Sequence, residues 1–205
     1  MKFLSVFALF FISNLLFSQT FSRLEIPFEI NETELENPLT GGLNAPQFSA
    51  VDLNNDGKKD LYIFDRIGNV HLTFLNIGGV GESRFEFAPE YENQFPKAVN
   101  FVLLRDFNND QIADFFAHSG DENVDGIKVF RGFYQNNKIG FERFEFDNEF
   151  PFDVLTYPIE NDLLNQIPVD GEDYPDINDV DGDGDLDVLN FVGGYVQFYQ
   201  NMAVE

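Results

Sequence analysis

From residue 47 onward the apolar residues fall in short alternating runs: Val70-His71-Leu72-Thr73-Phe74, Phe85-Glu86-Phe87 and Phe144-Glu145-Phe146. No stretch carries apolar residues at the 3.6-residue spacing of a helix over helical length, so the pattern predicts strands throughout. A first set of four runs from Gln47 to Leu53, Asp60 to Asp65, Val70 to Asn76 and Arg84 to Pro89, with turns at Gly68-Asn69 and Gly78-Gly79. A second set comprises Val99 to Arg105, Asp114 to His118, Ile127 to Tyr134 and Arg143 to Phe146. A third comprises Asp176 to Val180, Leu186 to Val192 and Tyr195 to Asn201, joined in part by Gly193-Gly194, and has no fourth member. Strands linked by Gly and Asn turns predict an all-β fold of antiparallel four-stranded sheets.

The sets are copies of one another. Phe21-Ser22-Arg23-Leu24-Glu25-Ile26, Ser83-Arg84-Phe85-Glu86-Phe87 and Phe141-Glu142-Arg143-Phe144-Glu145-Phe146 recur at about sixty residues, the spacing of an architectural repeat. This divides the chain into residues 19–46, an N-terminal strand and linker, then a first repeat over 47–96 and a second over 97–158. Residues 159–205 hold a connection and an incomplete third repeat. The connection from Asn148 to Tyr174, with Pro151, Pro158, Pro168 and Gly171, reads as a surface insertion. The segment from Phe21 to Ile30 resembles a fourth strand without a sheet of its own, so it is a candidate to complete the third.

Each repeat has an acidic loop between its first two strands. In the third, Asp179, Asp181, Asp183 and Asp187 occupy positions 1, 3, 5 and 9, with Gly184 at position 6 and the carbonyl of Asp185 at position 7. The first loop places Asp52, Asn54, Asp56 and Asp60 likewise, with Gly57 and the carbonyl of Lys58. The second has Asp106, Asn108, Asp110 and Asp114, with Gln111 and the carbonyl of Ile112. Carboxylates on alternate residues of a tight loop converge on one point, and hard calcium takes six to eight oxygens. Asp, Asn and Gly are also what ordinary turns select, yet three such loops in register with strands make a repeat. The sites rank third, first, second, because a left-handed turn at position 6 suits Gly57 and Gly184 better than Gln111. An EF-hand would need glutamate at position 12 and flanking helices; Ile63, Ala117 and Asn190 stand there, followed or preceded by strand-like sequence. Asp121, Asn123, Asp125 and Gly126 mimic the loop, but Val129 at position 9 marks a hairpin turn instead.

A D-x-[DN]-x-D-G-x-x-D loop entering a hydrophobic strand, repeated about every sixty residues behind a signal sequence, resembles the FG-GAP/VCBS repeat family of integrin-α-type β-propellers. The resemblance covers about Gln47 to the C-terminus. It implies one four-stranded blade per repeat, calcium in the loop between the first two strands, and adhesion or binding roles at the cell surface. Three repeats imply a partial or small β-propeller, since propellers have about four to eight blades. The chain is therefore expected to be part of a longer protein or an array that pairs with further blades or a second chain.

Composition narrows the remaining classes. Lys2 followed by the apolar run Phe3 to Phe17 reads as a secretory signal peptide over residues 1–18, cleaved after Ser18, and predicts a secreted or cell-surface protein with no membrane span. There is no cysteine, hence no disulfide framework and no thiol for lipid attachment. A formal charge of -24 excludes nucleic acid as a direct partner. The two histidines, His71 and His118, lie in predicted strands, and no nucleophile elbow, phosphate loop or zinc spacing is present. The expectation is a binding or adhesion module for protein or glycan, holding up to three calcium ions and without catalysis of its own. A fragment of a carbohydrate-active enzyme and a structural spacer in a larger surface protein remain the alternatives.

Overall fold

The computed structural model describes residues 27–35, 37, 41–82, 84–121, 124–147 and 149–202; residues 1–18, expected to be a signal peptide, and Phe21–Ile26 lie outside them. The chain divides into two compact units, residues 1–38 and 39–205. In the first, β1 (Glu29–Ile30) and β2 (Thr33–Glu34) form a small antiparallel hairpin.

The second unit is all-β, with antiparallel sheets and, among the described residues, only two 3-10 segments. Sheet one has the order β3 (Pro46–Val51), β4 (Asp60–Asp65), β5 (Val70–Asn76), β6 (Phe85–Phe87). Sheet two repeats that order with β7 (Val102–Arg105), β8 (Asp114–His118), β9 (Ile127–Gln135) and β10 (Lys138–Arg143). Here the fourth strand differs from the predicted Arg143 to Phe146. Asn136 and Asn137, at φ 53° and 59°, make a two-residue turn that pairs Lys138 with Gln135, and the strand ends where it was expected to begin. The connection after it, read from the sequence as a surface insertion, contains a hairpin of β11 (Thr156–Pro158) and β12 (Leu164–Gln166). Sheet three has three strands, β13 (Asp176–Asn178), β14 (Asp187–Val192) and β15 (Tyr195–Tyr199).

The three first strands are neighbours without sharing a ladder. Val102 N–H donates to Gln47 Oε1 at 3.0 Å and Leu104 N–H to Ser49 Oγ at 3.4 Å, joining β7 to β3. Arg105 joins β7 to β13 through the Ile177 carbonyl at 2.7 Å and the Asp176 carboxylate at 3.6 Å. Arg66, in the β4–β5 turn, donates to the carbonyls of Asn100, Gly171 and Asp173 and stacks on Tyr174, its Cζ 3.6 Å from the ring centre. One guanidinium therefore satisfies backbone acceptors on two distant segments, a task lysine geometry would not match.

Side chains from sheets one and two share a core that includes Val51, Leu53, Tyr62, Phe64, Val102, Phe115 and Ile139. The 3-10 segment Pro89–Gln94 supplies Tyr91, and Phe95 follows it to stack on Tyr62 at 4.3 Å. A second core draws on Phe101, Phe116, Val129, Ile167, Ile177 and Val188. The abundance of Phe is explained by these layers, where offset and edge-on rings fill the space. Among the described residues no helix is long and apolar enough to cross a membrane.

His71 and His118 lie in β5 and β8. His71 accepts from Tyr62 Oη at 2.6 Å through Nδ1 and packs among Phe64, Phe95 and Phe115. Burial lowers its pKa to about 4, so it is neutral in the fold while the unfolded chain titrates near 6.5. Its contribution is constant above pH 6.5, weakens as the pH falls toward 4 because the unfolded state binds the proton first, and is constant again below. Relative to His71→Gln, the wild type should lose about 2 kcal/mol of stability between pH 7 and pH 4, measured by urea unfolding across that range.

Candidate metal centre

The three acidic loops connect β3 to β4, β7 to β8 and β13 to β14, at the same place in each sheet. Their backbones are alike in a way that the glycine at position 6 only half announces. Position 4 is left-handed in all three, at Asn55 (φ 59°), Asn109 (φ 58°) and Gly182 (φ 87°). Position 6 follows at Gly57 (φ 83°), Gln111 (φ 72°) and Gly184 (φ 101°). Asparagine tolerates this region and glycine favours it, whereas Gln111 holds it under strain. The alternating sign of φ turns successive amides inward.

Those amides are taken up by the loop's own acids. In the first loop Asp52 accepts from Asp56 N at 3.1 Å and Gly57 N at 2.8 Å; Asp56 Oδ1 accepts from Lys58 N at 2.9 Å. In the second Asp106 accepts from Asp110 N at 3.2 Å and Gln111 N at 2.8 Å, and Asp110 Oδ1 from Ile112 N at 2.8 Å. In the third Asp179 accepts from Gly182 N at 2.6 Å and Gly184 N at 3.2 Å, and Asp183 Oδ1 from Asp185 N at 3.0 Å. The position-1 carboxylate is thus oriented before any ligand arrives.

The position-9 acids play a second part that spacing alone did not disclose. Asp60, Asp114 and Asp187 are 2%, 0% and 0% exposed. Each uses one oxygen on the amide at loop position 2, namely Leu53 at 2.8 Å, Phe107 at 2.9 Å and Val180 at 3.0 Å. The other oxygen takes an amide in or just beyond the third strand, Asn76 at 2.7 Å, Gly132 at 2.8 Å and Asn201 at 2.9 Å. A side chain on Gly132 would collide with the carbonyl of Ala113, so glycine lets β9 come close enough for this bond. Burial raises the pKa of Asp60 and of Asp114, opposed by the two amides and reinforced by the acids at positions 1 and 5. A nearby cation would relieve both the burial and the repulsion.

Among the described residues, one group of three carboxylates has ligand atoms all within 4.8 Å of one another: Asp179, Asp181 and Asp187. The Asp183 carboxylate is not in that group, which comprises side-chain oxygens alone. Asp181 also accepts from Gln200 Nε2 at 2.5 Å. In the first two loops the position-3 side chain is an amide, Asn54 or Asn108, whose Nδ2 donates to Asp56 or Asp110 at 3.2 and 2.9 Å. The donor set of the third loop is all oxygen and mostly anionic, which fits a hard divalent cation. Tyr134 of sheet two caps the first loop from outside, its hydroxyl 2.8 Å from the Asp52 carbonyl; burial, then the charge of Asp52, pushes its pKa up to about 12.

His118 and Ser119 do not form a catalytic pair. Burial lowers the His118 pKa, its Nδ1 accepts from Gly120 N at 3.0 Å, and Ser119 Oγ donates to the Val124 carbonyl. Of the loop mimic, Asp121 and Val124 form an isolated bridge between β8 and β9, while Asn123 is outside the described residues. No family model matches this chain, nor does any curated protein or solved structure show a significant match.

Two substitutions separate scaffold from ligand shell. Asp114→Ala leaves the amides of Phe107 and Gly132 without acceptors and should cost about 2–4 kcal/mol, whereas Asp110→Ala at the exposed loop rim should cost under about 1 kcal/mol, both read by urea unfolding in chelator. Gln111→Gly relieves the positive φ while keeping the amide bond to Asp106, and should raise stability by about 1 kcal/mol in the same assay.

Proposed function

We propose that this chain is a secreted or cell-surface binding module of the FG-GAP/VCBS type, built from blades of a β-propeller and stabilised by calcium in its acidic loops. The observation that carries this reading is the convergence of Asp179, Asp181 and Asp187 in a loop whose hydrogen-bond scheme recurs in two other sheets. The neighbouring first strands β3, β7 and β13 support the blade arrangement, since they stand side by side while each sheet runs outward from them.

Asp179, Asp181 and Asp187 would hold the ion in the third loop, with Asp183 and the Asp185 carbonyl completing the candidate ligands. Asp52, Asn54, Asp56 and Asp60 with the Lys58 carbonyl, and Asp106, Asn108, Asp110 and Asp114 with the Ile112 carbonyl, are the corresponding sets. The cation supplies charge compensation, not a reaction. The chain's own residues do the rest: the inward amides fix the carboxylates, and the position-9 acid transmits the loop's order to the third strand. Ordered loops then present a rigid surface to a protein or glycan, at less entropic cost than a mobile one. The protein's acidity makes a partner with basic or cation-bridged groups the better match.

Calorimetric titration of the chelated protein with calcium should give heat that Asp181→Ala reduces, with tightest binding at the third loop. At calcium a hundredfold above Kd, unfolding should require about 2.7 kcal/mol more per site. Absence of both the heat and the stabilisation would overturn the calcium reading, and turnover of a glycan by the purified chain would overturn the module reading.

A further inference from the structure

The three sheets stack by one rule. In sheet two the residue after the position-9 acid, Phe115, lies on the face that packs back on sheet one, in a core with Tyr62 and Phe64. The next residue, Phe116, lies on the opposite face, in a core with Ile177 and Val188 of sheet three. The corresponding pairs are Leu61 and Tyr62 after Asp60, and Val188 and Leu189 after Asp187. Tyr62 faces forward onto sheet two and Val188 faces back onto it. Within the stack, a face of the Tyr62 kind thus always meets a face of the Phe115 kind.

One face of each kind is left over. On sheet three Leu189 pairs with Phe198 and Phe191 with Val196, and side chains alternate across a strand, so these four share the forward face. None belongs to either core, and Phe191, Val196 and Phe198 are 51%, 57% and 46% exposed. On sheet one the backward face holds Leu61, paired with Ala50, and Ile63, paired with Phe48; Phe48 and Val70 are 59% and 44% exposed. The terminal unit of a stack normally presents polar side chains outward, and these two faces do not. No charged residue lies between Val188 and Met202 or in β3, and β5 carries only His71, neutral in the fold. Glu86 of β6 pairs with Leu75 and so points to the other side. The carboxylates that adjoin the two faces are already engaged, Asp65 by the amides of Asn44 and Ala45 and Asp176 by Arg105.

We propose that the Leu189 face of sheet three takes the Leu61 face of sheet one from a second copy of this chain, head to tail. Two physical facts select that occupant. The contact repeats between copies the one that already joins sheet one to sheet two. A net charge of -24 also makes copies repel one another except where uncharged faces can meet. The register follows from the existing junction, where the His71 and Phe115 rings lie 6.4 Å apart. Phe64 and Phe191 stand four residues after Asp60 and Asp187, and their cross-strand partners are His71 and Val196. Val196 therefore takes the place of His71, and Leu61 of the second copy takes that of Phe115. Because the two patches differ, the interface is heterologous and adds copies until a ring closes or a chain extends. Cation binding by the loops plays no part in the contact.

Because the chain lacks cysteine, single replacements report contact without background. Stacked sheets stand about 10 Å apart, beyond a direct disulfide, so a short bismaleimide serves as the bridge. A mixture of full chains carrying Val196→Cys and Leu61→Cys should yield a cross-linked pair, and Val196→Cys alone at least about tenfold less. By light scattering the full chain should gain mass with concentration. Phe191→Asp and Phe48→Asp, one on each face, should each raise the dissociation constant at least about tenfold, while Val80→Asp, exposed in the β5–β6 loop, leaves it unchanged. Phe191 and Phe48 face solvent in the single copy, so both variants should keep the wild-type urea midpoint measured at the lowest, monomeric concentration. A closed ring or a longer chain each supports the junction. A full chain that stays monomeric at every concentration refutes it, as does Val196→Cys that cross-links to itself as readily as to Leu61→Cys.

Discussion

The repeating unit depends on a buried carboxylate that serves two masters. Asp60, Asp114 and Asp187 each sit at the entry of a second strand, shielded from water, and each divides its oxygens between the loop behind and the third strand beside it. An unpaired ion in that position would be strongly destabilising; two charge-assisted bonds to amides make it tolerable. The same bonds are what give the sheet its geometry. With the acid in place, the loop cannot drift from the ladder, and the third strand cannot slip its register without orphaning an amide.

That arrangement also sets the electrostatic character of the loops. Acids at positions 1 and 5 stand within repulsive reach of the position-9 acid, whose carboxylate is held by two backbone amides. The chain tolerates this because the loops face solvent, where repulsion is screened, and because each carboxylate has a backbone partner. On the proposed reading, such loops would take a divalent cation with little reorganisation, since the fold already gathers the negative charge. The third loop, with Asp181 where the others have Asn54 and Asn108, gathers the most.

Between sheets, the logic is aromatic and directional. Each outer element leans on its predecessor: Tyr134 and Ile139 of sheet two reach the first loop, and Phe95 bridges Tyr62 and Phe141. Sheet three has no described outer strand, and a cavity lies against the second core.

Much of this was written locally and could be read. The alternation of apolar residues and the Gly and Asn turns specify antiparallel strands, because period and turn chemistry are properties of a few consecutive residues. The acidic loops were legible for the same reason, down to their placement between first and second strands. The Asn136-Asn137 turn was open to the same reading, since adjacent asparagines tolerate positive φ, yet the arginine-centred repeat drew the fourth strand several residues too late. What no local pattern contains is the partner of each group. That Asp114 belongs to Gly132, that Arg66 satisfies Asn100 and Gly171, and that Asp179, Asp181 and Asp187 converge were decided by tertiary packing. Hydrogen-bond acceptors and cavities are shared between segments far apart in sequence, and only the folded chain brings them to one place.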